Sequence, residues 1–515
     1  MVMGSEHLEV ERKYDVGDDV PWVDLGSLPA VGSVGPPRQD ELRAEYFDTD
    51  RLALARSGIT LRRRTGGTDA GWHLKVPNGS GDRVEHGEPL GESDGRPPAR
   101  LLDLVQVWVR DSDLKPVATI STRRLVHPLL AASGEVLAEA ADDVVTAQAA
   151  ARPGADGGAT VSHWREWEIE LVDGTAELID AATKRMTAAG ATASAWSSKL
   201  EQALGGRVNR AERPDGDGLS PASRAGDVVH AHIAEQVDAM MNRDWSARHD
   251  EPDGVHKMRV ATRRLRSALA TFRPLLDRAV TDPIRGELKW IAAELGGARD
   301  AEVLRARLLT ELAGEADDLV LGPISARIEV ELLSDHRKAH DALVESLRSE
   351  RYFRLLDQLD ELVTAPPFTS FADGKAAKVL TKRVRKSYGR VDKFVGAGAP
   401  ADAAQRDEWY HEIRKSAKRL RYAAESVTPA FGKPADALAK AAENLQEVLG
   451  EHQDSVVARE ALRELGVRMF LDGDNAFTIG RLHALEQTRG DEAIEGFESA
   501  WAALSDKQLL RWLRS

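Results

Sequence analysis

Two segments set 155 residues apart, HKMRVATRRLR at 256–266 and HEIRKSAKRLR at 411–421, repeat one another: His256 aligns with His411, Arg259 with Arg414, Arg263 with Lys418, Arg264 with Arg419 and Arg266 with Arg421. A second pair, LGGARDAEVL at 295–304 and LGEHQDSVVA at 449–458, recurs at an offset of 154 and aligns Asp300 with Asp454. Self-similarity at this spacing makes the C-terminal half two related units. Both units are spaced as helices. At about 100° per residue, positions 256, 259, 263 and 266 share one stripe, and Met258, Ala261, Leu265, Leu269 and Phe272 lie opposite. His411, Arg414, Lys418 and Arg421 form the matching stripe, and Glu412 is the only acid in the two segments. A stripe of one sign repels itself, so it needs flanking acids or an anionic partner.

The N-terminal part obeys a different period. In LEVERKY at 8–14, side chains alternating on a strand put Glu9, Glu11 and Lys13 on one face and Val10 and Arg12 on the other. TLRRR pairs Arg62 with Arg64, WHLKV sets Lys75 among apolar neighbours, DRVEHGE pairs Arg83 with Glu85, and TISTRRLV offers Arg123. WREWEIEL sets Glu166, Glu168 and Glu170 against Trp167, Ile169 and Leu171. Cations and anions spread in alternation over many short strands suit a closed antiparallel β-barrel with a polar lumen. Its fitting ligand is a polyanion with a divalent metal, because Arg and Lys grip phosphate oxygens while glutamates hold hard cations such as Mg²⁺ or Mn²⁺.

These residues, in this order, resemble the CYTH domain of the triphosphate tunnel metalloenzymes, whose signature is an N-terminal E-x-E-x-K strand, here Glu9, Glu11 and Lys13. The likeness extends through YFDT at 46–49, the paired arginines of LRRR, Lys75 before Pro77, Arg83 with Glu85, Thr122 with Arg123, Asp142 in EAADDVV, Glu168 with Glu170, and Ser198 with Lys199. One departure is Ser121, where many members carry a second basic residue two before the arginine. The resemblance implies that Lys13, Arg62, Arg64, Lys75, Arg83, Arg123 and Lys199 bind a triphosphate. It implies metal ligation by Glu9, Glu11, Glu85, Asp142, Glu168 and Glu170, with Lys13, Glu11 and Lys199 closest to the chemistry. Family members include inorganic triphosphatases, thiamine triphosphatases, RNA 5′-triphosphatases and class IV adenylate cyclases.

The duplicated half is similar to the CHAD domain, the conserved histidine α-helical domain often fused behind CYTH domains. That likeness implies a helical bundle whose basic groove binds inorganic polyphosphate. It assigns the binding to His256, Arg259, Arg263, Arg266, His411, Arg414, Lys418 and Arg421, and further to Arg264, Arg299, Lys415, Arg419 and Tyr422. The two histidines also suit helix-end or core positions, and neither has the i+4 partner of a helical metal site.

The expected architecture is therefore α+β and multidomain: a barrel domain with flanking helices at 1–204, a linker at 205–222, and an all-α duplicated bundle at 223–515 whose repeats meet near 365–375. The linker is the Gly-, Pro-, Asp- and Ser-rich GGRVNRAERPDGDGLSPASRA. Pro- and Gly-rich stretches at 26–37, 88–98 and 147–158 read as loops, and 176–189 as a helix. With no cysteine, thiolate catalysis and Cys-based zinc sites are excluded. A net charge of −14 argues against general nucleic-acid binding but leaves room for a local basic groove. No apolar run is long enough to span a bilayer and no leader is evident, which gives a cytoplasmic expectation with association to polyphosphate granules.

The expected function is hydrolysis of tripolyphosphate to pyrophosphate and phosphate by a tunnel that uses Mg²⁺ or Mn²⁺, joined to a domain that holds long-chain polyphosphate. Phosphate-gripping residues do not identify what hangs from the far end of a triphosphate. Adenylate cyclase, thiamine triphosphatase and a granule protein with a silent barrel remain the alternatives.

Overall fold

A computed structural model describes residues 5–77, 83–91, 95–151, 158–208 and 216–514. The turn expected after Pro77, parts of the loops at 88–98 and 147–158, and the middle of the linker lie outside the described residues. The chain divides into two compact units, Met1–Ala211 and Glu212–Ser515.

The first unit is a curled antiparallel sheet. Its strands are β1 (Ser5–Glu9), β2 (Glu11–Val16), β3 (Ser33–Val34), β4 (Arg38–Asp48), β5 (Thr60–Thr65), β6 (Gly71–Pro77), β7 (Arg83–Glu88), β8 (Lys115–Leu130), β9 (Val136–Ala149), β10 (Thr160–Leu171) and β11 (Thr192–Ala193). They pair in the order β1-β7-β6-β5-β4-β8-β9-β10-β2-β11, with β3 against β8. The N-terminal run expected as one strand breaks at Val10. Glu9 lies opposite Arg83 on β7, whereas Glu11 lies opposite Glu170 on β10. The backbone thus passes from one end of the sheet to the other within a single residue, and the carbonyl of Val10 accepts the Leu171 N–H at 3.0 Å. That crossing curls the sheet into a barrel.

Period two then sorts the side chains. On β10, Trp167 and Ile169 point outward and are fully buried under α3 (Ala176–Ala188), together with Tyr14, Leu178, Ile179 and Met186. Tyr14 Oη meets Thr183 Oγ1 at 2.6 Å. The other face turns Glu168 and Glu170 into the lumen. Asp48 of YFDT is structural: its fully buried carboxylate accepts the N–H groups of Thr49, Leu54 and Ala55 at 2.7–2.9 Å, starting α1 (Ala53–Arg56). α2 (Ala99–Val109) and α4 (Lys199–Leu204) complete the unit.

The second unit is helical. Its first half comprises α5 (Ala225–Met241), α6 (Asp244–Arg248), α7 (Gly254–Thr271), α8 (Arg278–Ala313), α9 (Ile324–Leu347) and α10 (Glu350–Thr364). The second half comprises α11 (Ala376–Gly396), α12 (Ala403–Glu425), α13 (Thr428–Phe431), α14 (Lys433–Leu471), α15 (Phe477–Glu495) and α16 (Phe497–Leu504). The copied motifs fall on α7 and α12, and on α8 and α14. The apolar stripe of α7 is core, with Met258, Ala261, Leu265, Leu269 and Phe272 all buried. A Cβ on Gly296 would sit 3.6 Å from the Arg259 guanidinium, and one on Gly450 would sit 3.5 Å from that of Arg414. The duplicated glycines thus seat the duplicated arginines. No helix among the described residues is long and apolar enough to cross a membrane.

Candidate active site and basic groove

The barrel lumen is a cavity of about 310 Å³. Glu9, Glu11, Lys13, Arg62, Arg64, Lys75, Arg83, Glu85, Glu168 and Glu170 line it from the strands, and Lys199 lines it from the start of α4. Three ionic groups organise it.

The first surrounds Lys199. Ser198 starts α4 by accepting the Glu201 N–H at 3.1 Å, and Glu201 in turn accepts the Ser197 N–H at 3.0 Å, a reciprocal cap that fixes the helix entry. Lys199, only 9% exposed, follows the cap and reaches Glu166 and Glu168 at 2.6 Å and Asp143 at 3.0 Å. Arg124 also bonds Asp143, at 2.6 and 2.9 Å, and contacts Glu168. Burial opposes ionisation of Glu168, yet Lys199 and Arg124 hold it well below the usual carboxylate range. Asp143, Glu166 and Glu168 form a buried triad able to hold a metal ion, with ligand oxygens within 4.8 Å of one another. Lys199 already supplies a cation there.

The second group sets Glu9, Glu11, Glu85 and Glu170 around two lysines. Lys13 pairs with Glu11 at 2.7 Å, and Lys75 bonds Glu9 and approaches Glu85 at 3.2 Å. Burial raises the Glu11 carboxyl, but Lys13 and Lys75 bring it down to about 2. Glu170 goes the other way: burial, with Glu9 and Glu11 beside it, pushes it up to about 7. The second carboxylate oxygen of Glu9 is buried without a hydrogen-bond partner among the described residues. Crowded carboxylates with an orphaned oxygen are the condition that a hard, oxygen-loving cation relieves.

The third group is a cationic wall of Arg62, Arg64, Arg83 and Arg124. Arg62 donates to Tyr46 Oη at 3.4 Å, Arg83 donates to the Ser197 carbonyl at 2.9 Å, and Arg64 pairs with Asp69. Burial, with Arg62 and Arg124 nearby, lowers Arg64 to about 9. Glu85 is committed elsewhere, 2.5 Å from His73 Nδ1, while His73 Nε2 lies 2.9 Å from the Asp69 carbonyl. A carbonyl only accepts, so Nε2 carries its hydrogen, and burial, with Arg62 and Arg64 nearby, lowers His73 to about 4. Burial pushes Glu85 up, but the His73 bond and the Lys75 and Arg62 charges prevail and keep it below the carboxylate range.

Two expected site residues are placed outside the lumen. Arg123 is exposed on the outer face of β8, and its neighbour Arg124 lines the cavity. Asp142 likewise turns out to meet Arg165 at 2.7 and 2.8 Å, and Asp143 faces in. The register explains both, since Arg124 lies directly opposite Asp143. A slip of one residue reverses the face of a strand. Ser121 shares the outer face with Arg123, and the inward position two before Arg124 is Thr122. Sequence reasoning also passed over Tyr46, His73 and the pair Arg38 and Asp40 as lining groups.

In the helical unit a second cavity, about 500 Å³, is lined by Arg263, Arg266, Ser267, Ala270, Arg285, Lys289, His411, Arg414, Lys415, Lys418, Arg419 and Tyr422. None is an acid. Arg285 and Lys289, one turn apart on α8, were not anticipated. Arg264 and Arg421 are drawn away from the cavity to Glu425, at 3.0 and 2.7 Å, and Arg421 also reaches Glu443 at 2.7 Å. Arg259 pairs with Asp300 at 2.9 Å and Arg299 with Glu302 at 2.7 Å, and His256 is exposed beside them. Arg263, Arg266, Lys418 and Arg419 have no ion pair among the described residues. Burial, reinforced by Arg263, Arg414 and Arg259, depresses Lys418 to about 6. Burial with neighbouring cations also lowers Arg266 and Arg419. The groove is a concentrated positive field.

The CYTH domain family matches residues 7–199, and the CHAD domain family matches residues 231–463. The uncharacterized proteins MT2285 and Rv2226, from two Mycobacterium tuberculosis strains, are each 40% identical over 504 residues, 96% of either chain. Among solved structures, PptA from Streptomyces chartreusis is 22% identical with a TM-score of 0.45, over 54% of this chain and 99% of that one. The CHAD domain from the plant Ricinus communis is 25% identical with a TM-score of 0.44, over 57% and 95%. A putative adenylate cyclase from Bacillus halodurans is 19% identical with a TM-score of 0.27, over 38% and 97%.

Proposed function

The chain belongs to the proteins that join a CYTH domain to a CHAD domain, and from that premise we propose that its barrel hydrolyses inorganic tripolyphosphate and its helical groove binds inorganic polyphosphate. The observation that carries the reading is convergence: Arg62, Arg64, Lys75, Arg83 and Arg124 meet Glu9, Glu11 and Glu170 in one lumen. Such a lumen grips phosphate oxygens along one side and a divalent cation on the other.

Glu9, Glu11 and Glu170 would hold Mg²⁺ or Mn²⁺, with Glu168 adjoining. Bound there, the cation would offset phosphate charge and make water a better nucleophile at neutral pH. The arginine wall orients the substrate. Water attacks the terminal phosphorus in line, the bond from that phosphorus to the bridging oxygen breaks, and pyrophosphate leaves with the electron pair. Lys13 stabilises the charge that develops, and Lys199 holds Glu166 and Glu168 in place. Catalysis on this account is positioning and preorganised charge. The groove, lined by no acid and holding four cations without an ion pair among the described residues, suits a long polyanion and would carry the protein to polyphosphate granules.

The test is phosphate release by the purified chain with Mg²⁺ or Mn²⁺ from tripolyphosphate, ATP, thiamine triphosphate and long-chain polyphosphate. Preferential cleavage of tripolyphosphate supports the reading. Cyclic AMP from ATP, or no metal-dependent turnover of any substrate, overturns it.

A further inference from the structure

One cationic surface of the helical unit lies outside both the groove and the duplicated motifs. α11 carries seven cations, Lys378, Lys382, Arg383, Arg385, Lys386, Arg390 and Lys393, against a single acid, Asp392. Its buried side is apolar, with Leu380, Val384 and Val391 in the core. Opposite them, Lys378, Lys382, Arg385, Lys386 and Lys393 are exposed. From Lys378 to Lys393 this face runs about 22 Å.

Some exposed cations elsewhere in the unit are paired along their helices, as Arg354 is with Glu350 at 2.8 Å and Lys440 with Asp436 at 2.9 Å, and others such as Arg278, Arg337 and Arg463 stand singly without an ion pair among the described residues; α11 differs in setting seven cations on one helix. None of the seven on α11 meets a carboxylate among the described residues. Nor does the packing shared by the two halves require the charge, because α5, the first helix of its half as α11 is of the other, contains no Lys or Arg. Gly389 lies in the middle of the face, and a Cβ there would meet nothing within 4 Å. Glycine inside a helix costs about 1 kcal/mol relative to alanine, and no neighbour demands it here. Its effect is to leave the centre of the face flat, so that a ligand can lie close to the helix.

The face is continuous in charge with the groove. Arg390, on the flank of α11, is close enough to lower Arg419, which lines the groove. No large apolar side chain is exposed on α11, so it offers neither a wedge for a lipid surface nor a stacking platform for bases. We infer that the solvent face of α11 binds the stretch of a phosphate polymer that runs past the groove. This second surface rests on the reading of the groove as a polyphosphate site.

The experiment compares three full-length proteins: the natural chain, a face variant (Lys378→Gln, Lys382→Gln, Lys386→Gln, Lys393→Gln) and a groove variant (Arg263→Gln, Lys418→Gln). Binding of short-chain and of long-chain inorganic polyphosphate is measured over a salt series, with thermal unfolding as the check on folding. The face variant is expected to lose about tenfold or more in affinity for the long chain and about three in its salt slope, with short-chain binding unchanged. The groove variant is expected to lose both. Unchanged long-chain binding by a folded face variant overturns the inference. So does a face variant that loses RNA or anionic vesicles but retains the long chain. If the groove variant keeps all binding, the groove reading fails instead, and loss of long-chain binding by the face variant alone would then make α11 the primary site.

Discussion

The tunnel and the groove both gather arginine and lysine, yet they manage the charge in opposite ways. Lys199 is enclosed by Asp143, Glu166 and Glu168, whereas Lys418 sits among Arg263, Arg414 and Arg259. A buried cation with three carboxylates is part of the fold. A half-buried amine among cations can carry its own charge only at a cost to the fold. The comparison teaches that a gathering of cations has two physical forms: under the proposed function, balance suits a lumen that holds metal, water and substrate in fixed places, and imbalance suits capture of a polymer.

Substitution breaks the comparison most sharply. Lys199→Met removes the cation shared by three buried carboxylates, leaving Asp143 and Glu168 to Arg124 and Glu166 without an ion pair among the described residues, and should cost about 3–5 kcal/mol of stability. Lys418→Met should act with the opposite sign, raising the stability of the free protein by about 1–2 kcal/mol. Calorimetric unfolding of the two full-length variants checks both, and equal signs would remove the distinction.

Salt and protons sharpen it next. With four groove cations lacking a pair, polyphosphate affinity should fall with a log–log salt slope of about −3 or steeper, while the tunnel, largely neutralised from within, loses less affinity for tripolyphosphate. Lys418 lies at about 6 when folded, far below its unfolded value. Between those values the unfolded chain binds the extra proton, so stability of the free protein rises with pH across the window. A bound polyanion restores the proton. Calorimetric titration near pH 8 in buffers of different ionisation enthalpy should therefore register net proton uptake on polyphosphate binding.

Glu170 gives the tunnel the reverse slope. Its folded value of about 7 lies above the ordinary carboxylate value of 4.5, so its contribution to stability is present at low pH and is lost as pH rises toward and through 7. Saturating Mg²⁺ or Mn²⁺ should flatten that dependence in thermal unfolding. The smallest effect separates neighbours: Arg124→Ala should raise the KM for tripolyphosphate about tenfold or more, and Arg123→Ala should leave it unchanged.

Those neighbours also mark where the sequence stops being readable. The alternation of Glu168 and Glu170 with Trp167 and Ile169 is unambiguous, because one face is apolar and the other charged, and the lumen residues of β2, β5 and β6 follow in the same way. RR at 123–124 and DD at 142–143 present like residues to both faces, so the local pattern does not choose between them. The choice was recoverable from flanking residues. Thr146 and Gln148 alternate with Val145, Ala147 and Ala149, which sets Asp143 on the buried side of this part of β9, and Ile120 with Val126 does the same for Arg124 on β8. In the helices, the duplicated motifs identified α7 and α12 but not their partners. Arg264 is claimed by Glu425, a long-range contact with no local trace, whereas Arg421 meets the same Glu425 one turn along α12, a spacing visible in the sequence; Arg285 and Lys289 enter the groove only through the packing of α8.

The most direct measurement uses Glu11→Ala in full-length protein with two readouts from one preparation: phosphate release from tripolyphosphate and equilibrium binding of long-chain polyphosphate. Turnover should fall about a hundredfold or more while polyphosphate binding remains that of the natural chain. Unimpaired turnover, or loss of both together, would contradict a catalytic tunnel and a separate capture groove.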